Sequence, residues 1–458
     1  MVNPLLAPDL KELVDAADET NLRAFCTDCH PASVGEFLSA LRPEDIHYVL
    51  RLVEAPLRAE IFSNLDESVQ DDTAELLPRD ELAELLTEMP PDDRVHLFRR
   101  LPDRRQEDVM PAIARVEREE IRRLIVYEEG TAGAIMTSEY ATVPPDLTVV
   151  EAINHLRQVA PRSETIYYAY VLDADRKLVG SVSLRDLIVA PRQAKVRDLM
   201  QTEVAFVHAD ADREEAVRLI RQYDLLALPV VNDADELVGI VTYDDAMDVL
   251  VQENAEDVEK MASISGSHEG SSAYLAASPW ELFRGRAVWI IAFSVVEMLA
   301  GSIILRYEGA IGKVPLLAAF IPMLTEAGGN TGCQSAAMVV RGLATGEFEP
   351  RDFVRIAFKE FGIAVLLGLS LGLVAFGRAL FCGSAGASLA ATAHIALTIA
   401  VAIGAQVVSA TVLGALLPLA ASKLRLDPAV VSNPLLATTV DVTGLLLYFA
   451  IAAAMLGI

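Results

Sequence analysis

The chain has 458 residues, 52% of them hydrophobic, yet its formal net charge is −27. So apolar and so charged a composition fits no single globular domain, and the length alone suggests about three. Cutting near residue 280 separates the two properties. Residues 281–458 hold 11 Lys+Arg and 10 Asp+Glu, whereas residues 1–280 hold 27 and 55. The acidic half excludes nucleic acid as a partner, since phosphate binding needs basic patches, and favours cations, which it can concentrate. Met1–Lys11 has neither a basic start nor a long apolar run, so no secretory signal is read there and the acidic half is expected in the cytosol. Four scattered cysteines do not make a disulfide framework.

Residues 1–130 read as a string of short helices forming a small solenoid. Leu41, Val53, Leu65, Leu77, Met89 and Leu101 recur every 12 residues, and several open a Pro-plus-acid turn, as in Leu77-Pro-Arg-Asp and Met89-Pro-Pro-Asp-Asp. Proline followed by acids is a helix-start signal. Cys26-Thr-Asp-Cys29-His30 spells a haem attachment string, but a cytosolic location argues against haem. Two helix-packing cysteines is the expectation.

Residues 131–198 and 199–250 repeat one another. Met136-Thr-Ser-Glu-Tyr-Ala-Thr-Val matches Met200-Gln-Thr-Glu-Val-Ala-Phe-Val, and Leu178-Val-Gly-Ser-Val-Ser matches Leu237-Val-Gly-Ile-Val-Thr. Each copy reads helix, strand, strand, helix. The pair resembles tandem CBS domains, α+β modules that are usually regulatory. Ser183-Leu-Arg-Asp186 and Thr242-Tyr-Asp-Asp245 fit the Ser/Thr-x-x-Asp pattern that holds ribose in some such pairs, so Ser183, Asp186 and Thr242 are candidates for ATP or another adenine nucleotide.

Residues 244–275 read as an acid-rich connecting helix and a Ser/Gly-rich linker, Ser263–Ser272. Asp245 and Asp248, Glu253 and Glu256, and Glu253 and Asp257 share helix faces. Like charges so spaced repel unless cations lie between them. A solvated face is the competing reading.

Residues 281–458 read as an all-α membrane domain with five spans, near 287–305, 314–340, 361–381, 392–420 and 429–456, each long enough for about 30 Å of hydrocarbon. With the N-terminus inside, the inner flanks carry Arg284, Arg286, Arg341, Arg351, Arg355, Lys359, Lys423 and Arg425. The outer flanks carry Arg306, Lys313 and Arg378. That bias gives a multi-pass protein of the plasma (inner) membrane with its C-terminus outside.

Asp441 falls near the middle of the last span, where a charge is a functional hypothesis by default. Asn433, Pro434, Thr438, Thr439 and Thr443 surround it. Pro434 is expected to free a carbonyl near residue 430, completing an all-oxygen neighbourhood that suits a hard cation such as Mg²⁺. A proton relay and a structural Asp are the competing readings. The second span carries Pro322-Met-Leu-Thr-Glu-Ala-Gly-Gly-Asn-Thr-Gly-Cys-Gln-Ser, which reads as irregular backbone lining a pore. Gly328, Gly329, Asn330, Thr331, Gly332 and Gln334 are its candidate lining residues. Glu326 and Glu297 rank below Asp441.

These features, with Tyr127-Glu-Glu-Gly-Thr-Ala-Gly, Gly328-Gly-Asn-Thr-Gly and Ser432-Asn-Pro through Asp441-Val-Thr-Gly, resemble the MgtE family of magnesium channels over essentially the whole length. The resemblance implies a homodimeric, non-enzymatic Mg²⁺ channel with its pore between subunits. It implies that Asp441 and the Ala437 carbonyl bind hydrated Mg²⁺ and that Asn433 lines the pore. It also implies regulatory Mg²⁺ sites at Glu214, Asp224, Asp245, Asp248, Glu253, Glu256, Asp257 and Asp427, which lock the closed state. Asp92 and Asp93 of the helical region are candidate partners of those sites. Cys333 stands where the family string has Asn, a softer donor at that point.

Overall fold

The computed structural model describes residues 7–264, 278–382, 388–424, 426–428, 431 and 433–457. Arg425, Ser432 and most of the expected linker Ser263–Ser272 lie outside the described residues. The chain divides into two compact units, one running to Glu253 and the other starting at Asn254.

The first unit opens with ten helices: α1 (Ala7–Asp15), α2 (Glu19–Asp28), α3 (Pro31–Leu38), α4 (Pro43–Leu50), α5 (Ala55–Ser63), α6 (Glu67–Leu76), α7 (Arg79–Glu88), α8 (Pro91–Arg100), α9 (Asp103–Val109) and α10 (Arg115–Leu124). All six residues of the 12-residue series fall in the connections between helices. Val53, Leu65, Leu77, Met89 and Leu101 are buried there, and Leu41 packs against the same core. One helix and one connection thus make 12 residues. From α3 to α10 each helix packs on the next but one.

A second series of the same period runs alongside it. The side chains of Arg58, Gln70, Arg94, Gln106 and Arg118 all reach back to the carbonyls of the preceding helix end. Arg58 donates to Leu50 and Val53, and Gln70 to Ser63 and Leu65. Gln106 donates to Arg99 and Leu101, and Arg118 to Pro111 and Ile113. Arg94 donates to Leu86 at 2.6 Å, Thr87 at 3.3 Å and Met89 at 2.7 Å, and pairs with Glu120 at 2.7 Å. The last carbonyls of a helix have no intrahelical donor, so each repeat is capped by the next. At 82, where the series has Leu, the side chain is simply buried.

Two three-stranded sheets follow. The first holds β1 (Tyr140–Val143), β2 (Thr165–Leu172) and β3 (Leu178–Ser183), with α11 (Val149–Val159), α12 (Leu184–Val189) and α13 (Val196–Leu199). The second holds β4 (Val207–His208), β5 (Ala227–Val231) and β6 (Leu237–Thr242), with α14 (Arg213–Tyr223). In each, the first strand runs parallel to the second and the third antiparallel. The short first strands were not read in the sequence. The repeated strings explain themselves by exchange. Thr137 bridges to Ile240 in the second sheet, while Gln201 bridges to Ser181 in the first. A Cβ at Gly239 would stand 2.6 Å from Met136 Sδ, and one at Gly180 would stand 2.9 Å from Met200 Sδ. Each copy's Leu-Val-Gly is therefore the slot for the other copy's methionine. The helix α15 (Tyr243–Met261) leaves β6 directly.

The second unit contains α16 (Pro279–Arg306), α17 (Glu308–Lys313), α18 (Leu316–Ala319), α19 (Ile321–Ala344), α20 (Phe353–Phe381), α21 (Leu389–Lys423) and α22 (Asn433–Leu456). Four stretches among the described residues are long and apolar enough to cross a membrane: Leu282–Arg306, Pro350–Phe381, Leu389–Lys423 and Asn433–Leu456. The expected span 314–340 is not among them, because α19 carries Glu326, Asn330 and Gln334. Nor is its backbone irregular as expected: α19 is one uninterrupted helix. Its glycines serve contact instead, for a Cβ at Gly414 of α21 would meet Gly332 O at 2.2 Å. Small residues let apolar helices approach closely. Gly368 and Gly404 join α20 to α21 in the same way. Tyr448 and Phe449 fill the core, and the Tyr448 hydroxyl donates to Leu317 O at 3.0 Å.

Arg94→Met removes a buried donor to three carbonyls and one partner of Glu120, which keeps Arg123 at 3.5 Å and the Ser138 hydroxyl. A buried acceptor left unsatisfied costs roughly 1–3 kcal/mol, and losing a buried ion-pair partner adds to that. Hydrogen exchange of the full-length protein in detergent is expected to show α7 and α8 opening more easily by about 3 kcal/mol, whereas Arg23→Met, on the exposed side of α2, leaves protection unchanged.

Candidate functional site

Two helix stripes in the second unit face one cavity. On α22, Asn433, Ala437 and Asp441 recur every four residues and so share a face. On α19, Thr325, Glu326, Gly329, Asn330 and Cys333 do the same. Together they line a cavity of about 280 Å³. Asn330 Nδ2 donates to Glu326 Oε1 at 2.8 Å, and the Cys333 thiol donates to Asn433 O at 3.5 Å. Asp441 Oδ1 is buried and has no hydrogen-bond partner among the described residues. An oxygen so placed favours a cationic guest, because an uncompensated buried acceptor is costly. The donors present are carboxylate, amide and carbonyl oxygens, the set hard cations take, together with one thiol.

Several expected members lie elsewhere. Gly328, Thr331 and Gly332 are buried on the side of α19 that packs on α21 and α22, and Gln334 is exposed. Thr438, Thr439 and Thr443 turn their hydroxyls back to Pro434, Leu435 and Thr439 carbonyls of their own helix. None of the three belongs to the cavity lining. Pro434 is the second residue of α22, where its missing N–H interrupts no helical bond. The carbonyl it was expected to free belongs to a residue outside the described ones. Glu326, ranked below Asp441, shares its cavity, and Glu297 lies on α16 outside the lining.

The acidic run of α15 divides into separate settings. Asp245 and Asp248 belong to a crowd of acids in the first unit with Asp92, Asp93, Asp244 and Glu164. Asp92 Oδ1 is buried with no hydrogen-bond partner among the described residues. Burial, and then the neighbouring Asp245 and Asp93, push the Asp92 carboxyl well above the usual range. Burial likewise raises Asp93, Asp248 and Glu164, and lifts Asp245 to about 7. Among the described residues no three His, Cys, Asp or Glu close into a metal-binding group.

Other acids of the run have protein cations beside them, which the spacing argument did not anticipate. Glu253 is paired with Arg213 at 2.5 Å. Lys260 Nζ lies 2.9 Å from Glu256 and 2.9 Å from Asp427, both in the second unit. The i+4 spacing of Glu256 and Lys260 was a legible signal for half of that contact. Asp257 is half-buried on α15, Glu214 sits in the first turn of α14, and Asp224 caps α14 in the left-handed conformation that Asp tolerates. Ser183 Oγ donates to the Asp186 carboxylate at 2.6 Å and accepts from the Asp186 backbone N–H at 3.0 Å, and Thr242 Oγ1 donates to Asp245 at 2.5 Å and accepts from its N–H at 3.5 Å, so both Ser/Thr-x-x-Asp strings act as helix caps. Cys26 is buried, its thiol pushed up to about 11 by that burial. Cys29 is exposed, so only one of the two cysteines packs between helices.

Carboxyls with raised folded values bind more protons folded than unfolded, between pH 4 and 7. Stability then falls as pH rises through that window. Full-length protein free of divalent ions is therefore expected to lose protection around Asp92 and Asp245 as pH rises from 4 to 7.5. Millimolar Mg²⁺ should restore it at pH 7.5 but not at pH 4. Hydrogen exchange of α8 and the start of α15 reads this out, and an identical profile in Asp92→Asn/Asp245→Asn protein would remove these acids as the cause.

Comparison with known proteins bears on the whole chain. A family model described as a divalent cation transporter matches residues 321–451, one for the MgtE intracellular N domain matches 29–130, and the CBS domain model matches 132–192 and 196–252. The magnesium transporter MgtE of Thermus thermophilus is 37% identical, over 98% of each chain. That of Bacillus subtilis is 34% identical, over 91% of this chain and 92% of its own. Among solved structures, the cytosolic domain of the Mg²⁺ channel MgtE in complex with ATP is 38% identical. It covers 53% of this chain and 100% of its own, with a TM-score of 0.50. By full-length similarity to these relatives, the chain belongs to the MgtE family of magnesium transporters.

Proposed function

We propose that this protein is a Mg²⁺ channel of the inner membrane whose permeating ion is held by Asp441, with Asn433 and the Ala437 carbonyl on the same face. The observation that carries this is the cavity where the Asp441 stripe of α22 meets the Glu326–Asn330 stripe of α19. One carboxylate among amide and carbonyl oxygens suits an ion that keeps much of its water, as Mg²⁺ does. The protein works as a homodimer with α19 as the fifth crossing, N-terminus inside and C-terminus outside. The Lys/Arg bias of the flanks supports that orientation. The repeats of α3 to α10 form a short solenoid, and the CBS pair takes an adenine nucleotide, as the relative crystallised with ATP does. Of the two candidate ribose-holding strings, half-buried Ser183 and exposed Asp186 are better placed than buried Thr242.

Cytosolic Mg²⁺ closes the channel through the acids. Two like charges about 4 Å apart repel by about 4 kcal/mol at an effective dielectric near 20, and a divalent ion between them reverses that sign. A few such sites are enough to shift an open–closed equilibrium. The crowd of Asp92, Asp93, Asp245 and Asp248 supports this reading, with Glu214, Asp224, Glu253, Glu256, Asp257 and Asp427 as the remaining ligands.

Asp441→Asn is expected to lower Mg²⁺ flux into reconstituted vesicles at least tenfold while insertion and dimerisation persist. Parent-level flux in correctly inserted Asp441→Asn protein would remove Asp441 from the ion path. Neutralising Asp248, Glu253, Glu256 and Asp257 together is expected to shift inhibition by cytosolic Mg²⁺ to concentrations several-fold higher, with ion preference unchanged. Open probability in excised patches during Mg²⁺ steps measures this, and closure over the parent's range would place the sensor elsewhere.

A further inference from the structure

Gln406, on α21, is 1% exposed and lies in the interior of the second unit. Its Nε2 donates to Val440 O at 2.9 Å. Its Oε1 is buried with no hydrogen-bond partner among the described residues. Two glycines make the slot for this amide. A Cβ at Gly444 of α22 would stand 2.1 Å from Gln406 Nε2, and one at Gly328 of α19 would stand 2.7 Å from it. Three helices therefore converge on one side-chain amide.

The arrangement is not what packing alone selects. A methionine or leucine would fill the same slot without burying an unpartnered oxygen, which is unfavourable. What the glutamine adds is the N–H donated to Val440. That carbonyl belongs to the residue immediately before Asp441, and the Val440 side chain itself abuts Gly328, where an added Cβ would lie 2.9 Å from Cγ1. The contact fixes both the rotation and the height of α22 against α19. Asp441 and Ala437 ride on that setting, as Ala437 Cβ lies 3.8 Å from where a Gly329 Cβ would be.

We infer that Gln406 is a positioning residue for ion selection: it holds the Asp441 carboxylate in register with Gly329 and Asn330. A hydrated divalent cation bound by few direct ligands depends on such register, since its outer contacts are set by distances between helices. The inference rests on the reading of Asp441 as the ion ligand, and it gives the conserved-volume substitution a specific signature.

The test uses full-length protein in vesicles with Mg²⁺, Ca²⁺ and K⁺ as probes. Gln406→Met keeps the volume and removes the donor. The expected result is normal insertion and thermal stability, a half-saturating Mg²⁺ concentration raised about tenfold, and a Mg²⁺ over Ca²⁺ preference reduced by a similar factor. Gln406→Asn, polar but one methylene too short, is expected to give the same loss and serves if the Met protein fails to assemble. A purely structural role would instead lower yield and stability while the surviving protein kept the parent's half-saturation and preference, and that result in either variant overturns the inference. Asp441→Asn run alongside separates the two levels. If it transports normally, the reading of the ion site fails. If it is inactive while Gln406→Met behaves as the parent, only the role of Gln406 fails.

Discussion

The close approach of α19, α21 and α22 is the constraint on which the rest of the membrane unit depends. Apolar helices in hydrocarbon gain nothing from hiding apolar surface, so contact between them must come from packing and from polar pairs. Gly328, Gly332, Gly414 and Gly444 remove the side chains that would hold these three helices apart, and Gln406 uses the space for one hydrogen bond. Because the glycines face inward, Asn330, Cys333 and Asp441 are left facing the cavity. The cavity is thus the complement of a packing interface, one set of helix faces implying the other.

Charge among the acids follows a different rule. An excess of carboxylates is tolerable only where something offsets it. Arg213 offsets Glu253, and Lys260 offsets Glu256 and Asp427. Around Asp92, Asp93, Asp245 and Asp248 burial exceeds the available cations, and the carboxyls respond by holding protons at higher pH. A proton and a divalent cation are alternative answers to the same repulsion. That is why the same acids are candidates for both a pH response and a Mg²⁺ response.

The two internal repeats use one trick at different scales. In the helical region, Arg58, Gln70, Arg94, Gln106 and Arg118 each satisfy the carbonyls left by the repeat before. In the CBS pair, Met136 and Met200 each fill the glycine slot of the other copy. Neither repeat unit is complete without its neighbour, as expected where each unit is too small to bury its own core.

Period and composition located the repeats and the apolar stretches of this chain. The 12-residue series marked the helix connections, the paired Leu-Val-Gly strings marked the two sheets, and four of the five expected stretches marked helices long and apolar enough to cross a membrane, because each is a local pattern that burial imposes on neighbours in sequence. Asp441 was legible for the same reason, as a lone charge in an apolar run. What the sequence could not supply was direction. Thr438, Thr439 and Thr443 looked like ligands by proximity, yet their hydroxyls bond to their own helix, and Gly328 looked like pore lining, yet it faces Gln406. Gln406 itself gave no signal, since a single amide in a long apolar helix acquires meaning only from partners 34 and 38 residues further on, at Val440 and Gly444. Which side of a helix meets another is decided by the packing of three segments at once, and only the tertiary structure holds that information.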